Sequence, residues 1–337
     1  RVAVAIADAK DCTIIRIGDN MNNVAVTDGD KVEAEKVLGY HVDYYGIGDV
    51  VKVMDTITQD EINQLVAEYD RLYDVSPDCK EGGKDRKQVI EAAREELAIR
   101  KFLQEKNAKC FVSNFDELHG FDQLPGLASQ RLMADGYGFG AEGDWKTAAL
   151  VRAVWVMRQD LPGGSSFLED YTLNFDGQQT SILESHMLEV CPLIAETKPK
   201  LEVHPLGIGG KNDPARLVFT SKKGFGIAAT IVDLGNRLRM IINEVDCIQS
   251  KPLPKLPVAS NLWIPRPSFE VAAEAWILAG GAHHSAFTYD LTAEYYEDYA
   301  EILGIELVII DAQTNIRQLK QDLRTNEVYY MLHGALK

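Results

Sequence analysis

Apolar residues in the first half of the chain recur at helical spacing, in long segments that alternate with short β-rich runs. The segment TQDEINQLVAEYDRLYDV starts with Thr58 and Glu61 at the spacing of a capping box and predicts one helix. The segment KQVIEAAREELAIRKFLQEK repeats the helical spacing and leads into KCFVSNF, a short apolar run typical of a strand. This alternation predicts a Rossmann-like layered α/β domain with a mainly parallel sheet over residues 1–161.

The second half of the chain has a different pattern, which begins at LPGGSS, residues 161–166. Helical spacing returns only in FEVAAEAWILAG and LTAEYYEDYAEILG. Between these segments, strand-like runs are separated by Gly, Pro, Asn and Asp. We therefore expect residues 162–337 to form a mainly-β domain, an antiparallel β-barrel-like sheet with a few helices. The strand-like runs are SFLEDYTLNF, LEVHPLGIGG, RLVFTS, IAATIVDLGNRLRMIINEVDCI and PVASNLWI.

The charge balance narrows the range of partners. The chain has 51 acidic and 35 basic residues, for a net charge of −16. Such a surface repels phosphate backbones and anionic lipids, so we expect no nucleic-acid or membrane partner. No apolar run approaches the roughly 20 residues that span a bilayer, which predicts a soluble protein. Neutral sugars and divalent cations are compatible with this charge.

The cysteines indicate a reducing, cytoplasmic environment. They are odd in number, widely spaced and without a CxxC pair, so we expect buried thiols and no disulfide framework. The opening RVAVAIADAK lacks the features of a signal peptide and predicts a chain that starts within a longer protein. The cysteines are Cys12, Cys79, Cys110, Cys191 and Cys247.

Two glutamates are candidates for chemistry. Glu142 stands between glycines in GYGFGAEGDWKT, before the predicted helix KTAALVRAVWVMRQ. It either complements the helix dipole or belongs to a site where glycines let a ligand approach the backbone. In SFLEDYTLNF, strict alternation places Glu169 on an apolar face with Phe167, Tyr171, Leu173 and Phe175. A carboxylate on that face needs a cationic partner or a register that exposes it to solvent.

Three histidines lie in apolar segments. His186 in LESHMLEVCP is either a core histidine or a ligand. His283 and His284 are adjacent in AGGAHHSAF, and in an extended segment at most one of them readily faces a given site. Two carboxylates and two imidazoles would suit Mn²⁺, Co²⁺ or Mg²⁺ better than structural zinc. The chain has no HExxH, GxGxxG, P-loop or GxSxG motif that would favour another enzyme class.

A set of longer strings resembles the L-arabinose isomerase family in order and spacing, from about residue 14 to residue 330. Related aldose-ketose isomerases share the fold but not these strings. The strings are RIGDNMNNVAVTDGDKVEAE, VDYYGIGDVV, GFGAEGDWKTAALVRAV, SFLEDYTLNF, HMLEVCP, EVHPLGIGGKNDPARLVF, NEVD, LPKLPVA, EAWILAGGAHH and NEVYY.

The resemblance implies conversion of L-arabinose to L-ribulose, and of D-galactose to D-tagatose, through a cis-enediol. It implies an Mn²⁺ ion, with Co²⁺ or Mg²⁺ as alternatives, and it selects His284 over His283 as a ligand. Glu142 and Glu169 would also be the catalytic acid/base pair. The implied metal ligands are Glu142, Glu169, His186 and His284, and the implied substrate contacts are Met21, Phe115, Met187, Leu206 and His283.

One departure from the family affects the expected activity. Family members carry a further N-terminal α/β domain, for which this chain has no counterpart, so residues 1–12 would be a remnant of the linker. The resemblance also implies a homo-oligomer, a trimer or hexamer. Two other readings remain open: a fucose-type or other sugar isomerase, and a catalytically weak fragment that binds metal and sugar.

Overall fold

Helices and strands alternate through the first half of the chain in a computed structural model, which describes residues 1–176, 179–251 and 253–335. The elements are α1 (Val2–Lys10), β1 (Thr13–Ile17), α2 (Lys31–Leu38), β2 (His41–Tyr45), α3 (Ile47–Met54), α4 (Gln59–Leu72), β3 (Asp74–Val75), α5 (Arg86–Glu105), β4 (Cys110–Ser113), α6 (Gly126–Ala134), β5 (Gly138–Gly140) and α7 (Trp145–Arg158). Four strands form a parallel sheet in the order β2-β1-β4-β5. The predicted layered α/β region is confirmed.

The predicted capping box at the start of α4 is present. Thr58 Oγ1 accepts a hydrogen bond from the Glu61 backbone N–H, and the Glu61 carboxylate accepts one from the Thr58 backbone N–H at 2.7 Å. These bonds satisfy two backbone donors that a helix start leaves free. The helix buries Ile62, Leu65 and Val66 on one face, as the apolar spacing predicts.

Six strands of the second half close into an antiparallel ring. The elements are β6 (Ser165–Asn174), β7 (Ser181–Ser185), β8 (Lys200–Val203), β9 (Ala215–Val218), β10 (Gly224–Asp233), β11 (Leu238–Ile248), β12 (Asn261–Pro265), α8 (Phe269–Ala279), β13 (His284–Thr288), α9 (Ala293–Leu303), β14 (Glu306–Ile310) and α10 (Ile316–Ala335). The ring order is β10-β13-β6-β7-β12-β11, and the β10–β11 hairpin closes it. β14 pairs in parallel with the first part of β11. The predicted barrel-like sheet is confirmed.

A third small sheet joins the two halves. β3 of the first half pairs in parallel with β8, and β8 pairs with β9. The side chain of Gln130 on α6 extends this contact, because its amide donates to the Val190 and Leu217 carbonyls at 3.0 Å. The two halves therefore share hydrogen bonds as well as packing.

Helix α10 contradicts the expectation that helical spacing returns in only two segments of the second half. It covers Ile316–Ala335, and its apolar positions Ile316, Leu319 and Leu323 pack against a hydrophobic cluster that contains α8 and β14 residues. These positions recur at i, i+3 and i+7, so the signal is present in the sequence. The many charged and amide residues between them dilute the pattern.

A β-bulge interrupts the strict alternation expected along β6. The register against β7 shifts between Asp170 and Thr172, so Tyr171 is the extra residue. Asp170 then stands opposite Glu184, and Leu173 stands opposite Ile182. Leu173 consequently shares a face with Asp170 and not with Glu169, which makes the predicted single face wrong beyond the bulge.

The cysteines and the helix lengths agree with the composition. All five cysteines are buried free thiols, as expected. Within the described ranges, no helix combines the length and the apolar composition that crossing a bilayer requires.

Candidate metal centre

Three of the four predicted ligand residues meet at the seam between the parallel sheet and the ring, and the fourth lies beside this group without being part of it. Glu142, His186 and His284 each offer a ligand atom, and these atoms lie within 4.8 Å of one another. The fourth residue, Glu169, has its Oε2 3.7 Å from His186 Nε2. Elsewhere in the described part of the chain, no three His, Cys, Asp or Glu side chains come together at this spacing.

The ring strands set the positions of three of these side chains. Glu169 on β6 stands directly opposite His284, the first residue of β13. On its other side, Glu169 stands opposite Ser185, the last residue of β7, and His186 follows Ser185. Because facing residues of antiparallel strands have Cβ atoms roughly 5 Å apart, the ladder places His284 beside Glu169, and the chain just beyond Ser185 carries His186 to the same place.

Glu142 comes from the loop between β5 and α7 and has an uncommon backbone conformation. Its φ is 57°, in the left-handed region that residues other than glycine seldom occupy. The loop is held by neighbours: the Met21 backbone N–H donates to the Glu142 carbonyl, and the Asn20 amide donates to the Gly143 carbonyl, both at 3.0 Å. The surroundings thus hold a strained residue in place, a feature that clusters at functional sites.

The glycines around Glu142 serve the packing of the chain itself. A Cβ on Gly140 would lie 2.1 Å from the Asp144 carbonyl oxygen, and one on Gly143 would lie 2.6 Å from the Asn20 Cα. The cap of α7 is Asp144, whose carboxylate accepts from the Thr147 backbone N–H at 3.1 Å. Close backbone packing therefore accounts for the glycines, and Glu142 is not the capping residue.

His284 presents a free nitrogen to the site. Its side chain is completely buried, and its Nδ1–H donates to Asp144 Oδ2 at 3.0 Å. Burial lowers the pKa of His284 more than the Asp144 carboxylate raises it. Its Nε2 has no hydrogen-bond partner and lies 3.8 Å from Glu142 Oε2. A buried, unpaired acceptor is costly, and a bound cation would satisfy it.

His186 is oriented in the same manner by another carboxylate. Its Nδ1 lies 2.5 Å from Glu189 Oε2, which leaves Nε2 to face Glu169. Burial lowers the pKa of His186, but the Glu189 carboxylate raises it more, so the net shift is upward. A carboxylate behind each imidazole fixes the ring and its tautomer, an arrangement common around metal-ligating histidines.

Asp144 and Glu189 were absent from the residues that the sequence selected. Asp144 follows Glu142 by two positions, and Glu189 follows His186 by three. Those short spacings were the available signal. The roles of Asp144 and Glu189 become visible only in the folded chain. Asp144, for example, accepts a hydrogen bond from His284, which lies 140 positions away in the chain.

His283 also faces the site. Its Nε2–H donates to Glu142 Oε2 at 3.2 Å, and its ring centroid is 4.0 Å from that of His284. The expectation that at most one of the adjacent histidines would face the site is wrong, because His283 lies in a bend just before β13. Burial raises the pKa of Glu142, but the hydrogen bond from His283 and the histidine charges outweigh it and hold the pKa below its usual value.

The donor set fits a divalent cation. Two carboxylates and two imidazoles, with no thiolate among them, match the preference of Mn²⁺, Co²⁺ or Mg²⁺ more closely than that of structural zinc. The partnerless Nε2 of His284 points to the same conclusion, since a purely structural cluster would have satisfied it. The residues present can therefore hold such an ion.

The residues predicted to contact the sugar are half-buried. Met21 is tied to the Glu142 carbonyl through its backbone, and Met187 directly follows His186. Phe115 and Leu206 follow strands β4 and β8 and, like Met187, pack against the main hydrophobic core. Their contact with substrate stays a prediction.

Comparison with known proteins gives the family. Residues 13–160 match the L-arabinose isomerase central domain, and residues 164–306 match the L-arabinose isomerase C-terminal domain. The chain is 62% identical to the L-arabinose isomerase of Phocaeicola vulgatus and 61% identical to that of Bacteroides thetaiotaomicron, over all of this chain and 67% of each relative. It is 51% identical to the enzyme of Geobacillus stearothermophilus, over 98% of this chain and 66% of that relative. The chain spans about two thirds of the length of these relatives, and it belongs to the L-arabinose isomerase family.

Proposed function

We propose that this chain carries a metal-dependent aldose-ketose isomerase centre that converts L-arabinose to L-ribulose and also D-galactose to D-tagatose. The observation that carries the proposal is the group formed by half-buried Glu142 and buried His186 and His284, with the partnerless His284 Nε2 turned toward Glu142. The close relatives named L-arabinose isomerase supply the reaction.

Glu142, Glu169, His186 and His284 are proposed to hold the ion, with Mn²⁺ preferred and Co²⁺ or Mg²⁺ as alternatives. Such an ion, when bound, polarises the oxygens on C1 and C2 of the sugar and acidifies the C2 proton. Asp144 and Glu189 keep the two imidazoles aimed at it through the hydrogen bonds described above.

The two glutamates are proposed to move the protons. One carboxylate takes the proton from C2, which gives a cis-enediol, and the same proton or one from solvent is returned at C1. The other carboxylate moves a proton from the C2 hydroxyl to the C1 oxygen, so the sugar gains and loses no electrons overall. His283 lies beside Glu142 and is proposed to face the substrate, together with Met21, Phe115, Met187 and Leu206.

A hydride shift from C2 to C1 is the competing route. L-Arabinose deuterated at C2 and incubated in ordinary water separates the two. Loss of deuterium from C1 of the ribulose supports proton transfer through the enediol. Full retention of deuterium at C1 counts against the enediol and supports the hydride shift.

A second candidate is a protein that binds metal and sugar with little turnover, because the chain spans only about two thirds of its relatives' length. Calorimetric titration with Mn²⁺, paired with a ketose assay on L-arabinose, D-galactose and L-fucose, distinguishes the candidates. Mn²⁺ binding with ribulose formation supports the leading proposal, and binding without ketose supports the second. A preference for L-fucose supports a fucose-type isomerase, and absence of Mn²⁺ binding rejects the metal centre.

The proposal extends to the organisation of the protein. We propose one domain over residues 1–161 and another over residues 162–337, and the borders of the matched family domains at residues 160 and 164 support this division. We also propose a cytoplasmic homo-oligomer, a trimer or hexamer. The buried free thiols support a reducing compartment, and sedimentation analysis tests the assembly.

A further inference from the structure

A cavity lies between the interior of the strand ring and helix α8, on the far side of β6 from Glu169. We call it the α8 cavity. It has an empty volume of about 580 Å³, part of which opens to solvent. Small side chains leave this space, because Ala228, Ala272, Ala273 and Ala282 line it where larger residues would fill it. Trp263 and Trp276 supply aromatic surface along its wall.

The polar groups that line the α8 cavity are mainly hydrogen-bond acceptors. Asp170 and Glu184 stand opposite each other on β6 and β7, and both line it. Asn243 uses its amide N–H groups on three backbone carbonyls, which leaves its Oδ1 as the free atom. Trp276 Nε1–H is likewise used, because it donates to the Ala282 carbonyl at 2.9 Å.

The cavity carboxyl groups form no ion pair in the described part of the chain. Burial raises the pKa of Glu184 well above its usual value and that of Asp170 to about 6, the latter against the charge of His283 on the same wall. Glu184 is 3% exposed, and neither it nor Asp170 forms an ion pair or a side-chain hydrogen bond within the ranges that the structure describes. Glu306, by contrast, is completely buried and pairs with Arg237 and Arg239. A pair of carboxyl groups left this way favours a ligand that brings positive charge and hydrogen-bond donors.

A separate observation points to a ligand in the same place. Ser285 on β13 is 4% exposed and lines the cavity, and its hydroxyl has no hydrogen-bond partner. It lies on the opposite side from β7, since β6 separates β13 from β7 in the ring. Polar groups therefore face the space from three neighbouring strands.

We propose that the α8 cavity binds a small organic ammonium ion, a primary amine whose ammonium group is held by Asp170, Glu184 and Ser285. An ammonium group offers three donors and no acceptor, which matches an acceptor-rich wall better than a polyol does. Its alkyl chain lies against Trp263 and Trp276, where aromatic surface favours a cation and its apolar stem. The net charge of −16 concentrates cations around the protein.

This site is distinct from the metal centre, although the two share a wall. Asp170 and Glu169 are neighbours in β6 and point to opposite faces of the strand. His283 lines the α8 cavity and also donates to Glu142. An amine that entered the metal centre instead would compete with Mn²⁺. Titrations with and without Mn²⁺ therefore distinguish the two sites.

The test is calorimetric titration of the full chain with n-butylammonium chloride, with 1-pentanol as a neutral ligand that is one heavy atom longer. Titrations are run in EDTA and again with excess Mn²⁺. Butylammonium is expected to bind one site under both conditions, and pentanol at least tenfold more weakly. Loss of a charge-assisted hydrogen bond in Glu184→Gln weakens the amine by about 10- to 100-fold, and Ser285→Ala weakens it by about two- to tenfold. Glu297→Gln, on the exposed face of α9, is the matched control and leaves binding unchanged.

Several results would overturn the proposal. Absence of butylammonium binding means that the cavity holds water only. Equal binding of pentanol means that the cavity is merely apolar, and displacement by Mn²⁺ places the amine in the metal centre. Unchanged affinity in a folded Glu184→Gln variant also rejects it. Circular dichroism checks the fold, and Ser285→Ala and Asp170→Asn keep the test decisive if Glu184→Gln does not fold.

Discussion

Two carboxylates, the buried Glu96 and the half-buried Glu142, have opposite surroundings in this molecule. Glu96 on α5 is completely buried and accepts hydrogen bonds from Arg131, Arg100 and Tyr69 at 2.7 to 2.8 Å. Glu142 instead faces histidines, and the Nε2 of His284 beside it has no partner. The carboxylate of Glu96 is fully hydrogen-bonded by protein side chains. At the candidate metal centre, the His284 Nε2 lone pair and the nearby Glu142 oxygens are left available to a ligand. Saturation of hydrogen bonds, more than burial or charge, separates a structural network from a ligand site.

The largest effect, a loss of both activity and Mn²⁺ affinity, is expected when Glu142 loses its charge. Glu142→Gln keeps the shape of the side chain but removes a proposed metal ligand and acid/base group. We expect kcat/KM for ketose formation to fall by about 10²- to 10⁴-fold, the range for a general acid or base, with a parallel loss of Mn²⁺ affinity. Ketose assays and calorimetry measure both, and Glu297→Gln is the control. Normal activity in the variant would contradict the assignment.

A substitution in the hydrogen-bond network around Glu96 is expected to lower the stability of the protein and to leave metal binding unchanged. Arg131→Met removes the Nε–H donor to Glu96 and the partner of Glu68. Breaking a buried ion pair costs roughly 3–5 kcal/mol, because one charge is left unpaired. Urea unfolding measures this loss. Mn²⁺ affinity of the folded variant is expected to stay within about twofold of the parent, and a larger change would mean that the two regions are coupled.

A smaller effect is expected from the carboxylate behind His186. Glu189→Gln retains a hydrogen-bond acceptor at Nδ1 but removes the charge that orients the ring. Loss of such an outer partner typically lowers metal affinity by about 10- to 100-fold. Titration with Mn²⁺ at fixed pH gives the number. An affinity equal to that of the parent would show that Glu189 serves the fold alone.

The smallest effect belongs to an ion pair that water surrounds. Lys320 on α10 pairs with Glu274 on α8 at 2.9 Å, with both side chains about half exposed. Lys320→Met is expected to change the free energy of unfolding by less than about 1 kcal/mol, since solvent screens the pair. The same urea experiment measures it beside Arg131→Met. A loss of unfolding free energy similar to that of Arg131→Met would show that burial does not explain the difference between the two ion pairs.

Much of the fold follows from local sequence signals. The helices α4 and α5 are predicted because capping and apolar spacing lie within one turn or a few turns of chain. The ring strands are predicted for the same reason, from short runs bounded by turn residues. The bulge at Tyr171 was not, because an extra residue in a strand becomes visible only against its partner strand.

The sequence supplied the predicted ligands of the candidate site but not the residues that orient them. Glu142, Glu169, His186 and His284 were selected through a family resemblance, since their spacing in the chain carries no short motif. The roles of Asp144 and Glu189 depend on hydrogen bonds that only the folded chain defines. The left-handed backbone of Glu142 and the bend at His283 are likewise products of tertiary contacts.

The pairing of β6 with β13 has a consequence for how the protein folds. It joins Glu169 to His284, which are more than one hundred positions apart, and it is one of the pairings that make up the strand ring. Contacts between such distant segments form late, because the intervening loop must first lose its entropy. During refolding, the ability to capture a metal ion should therefore appear only with the last, slowest step.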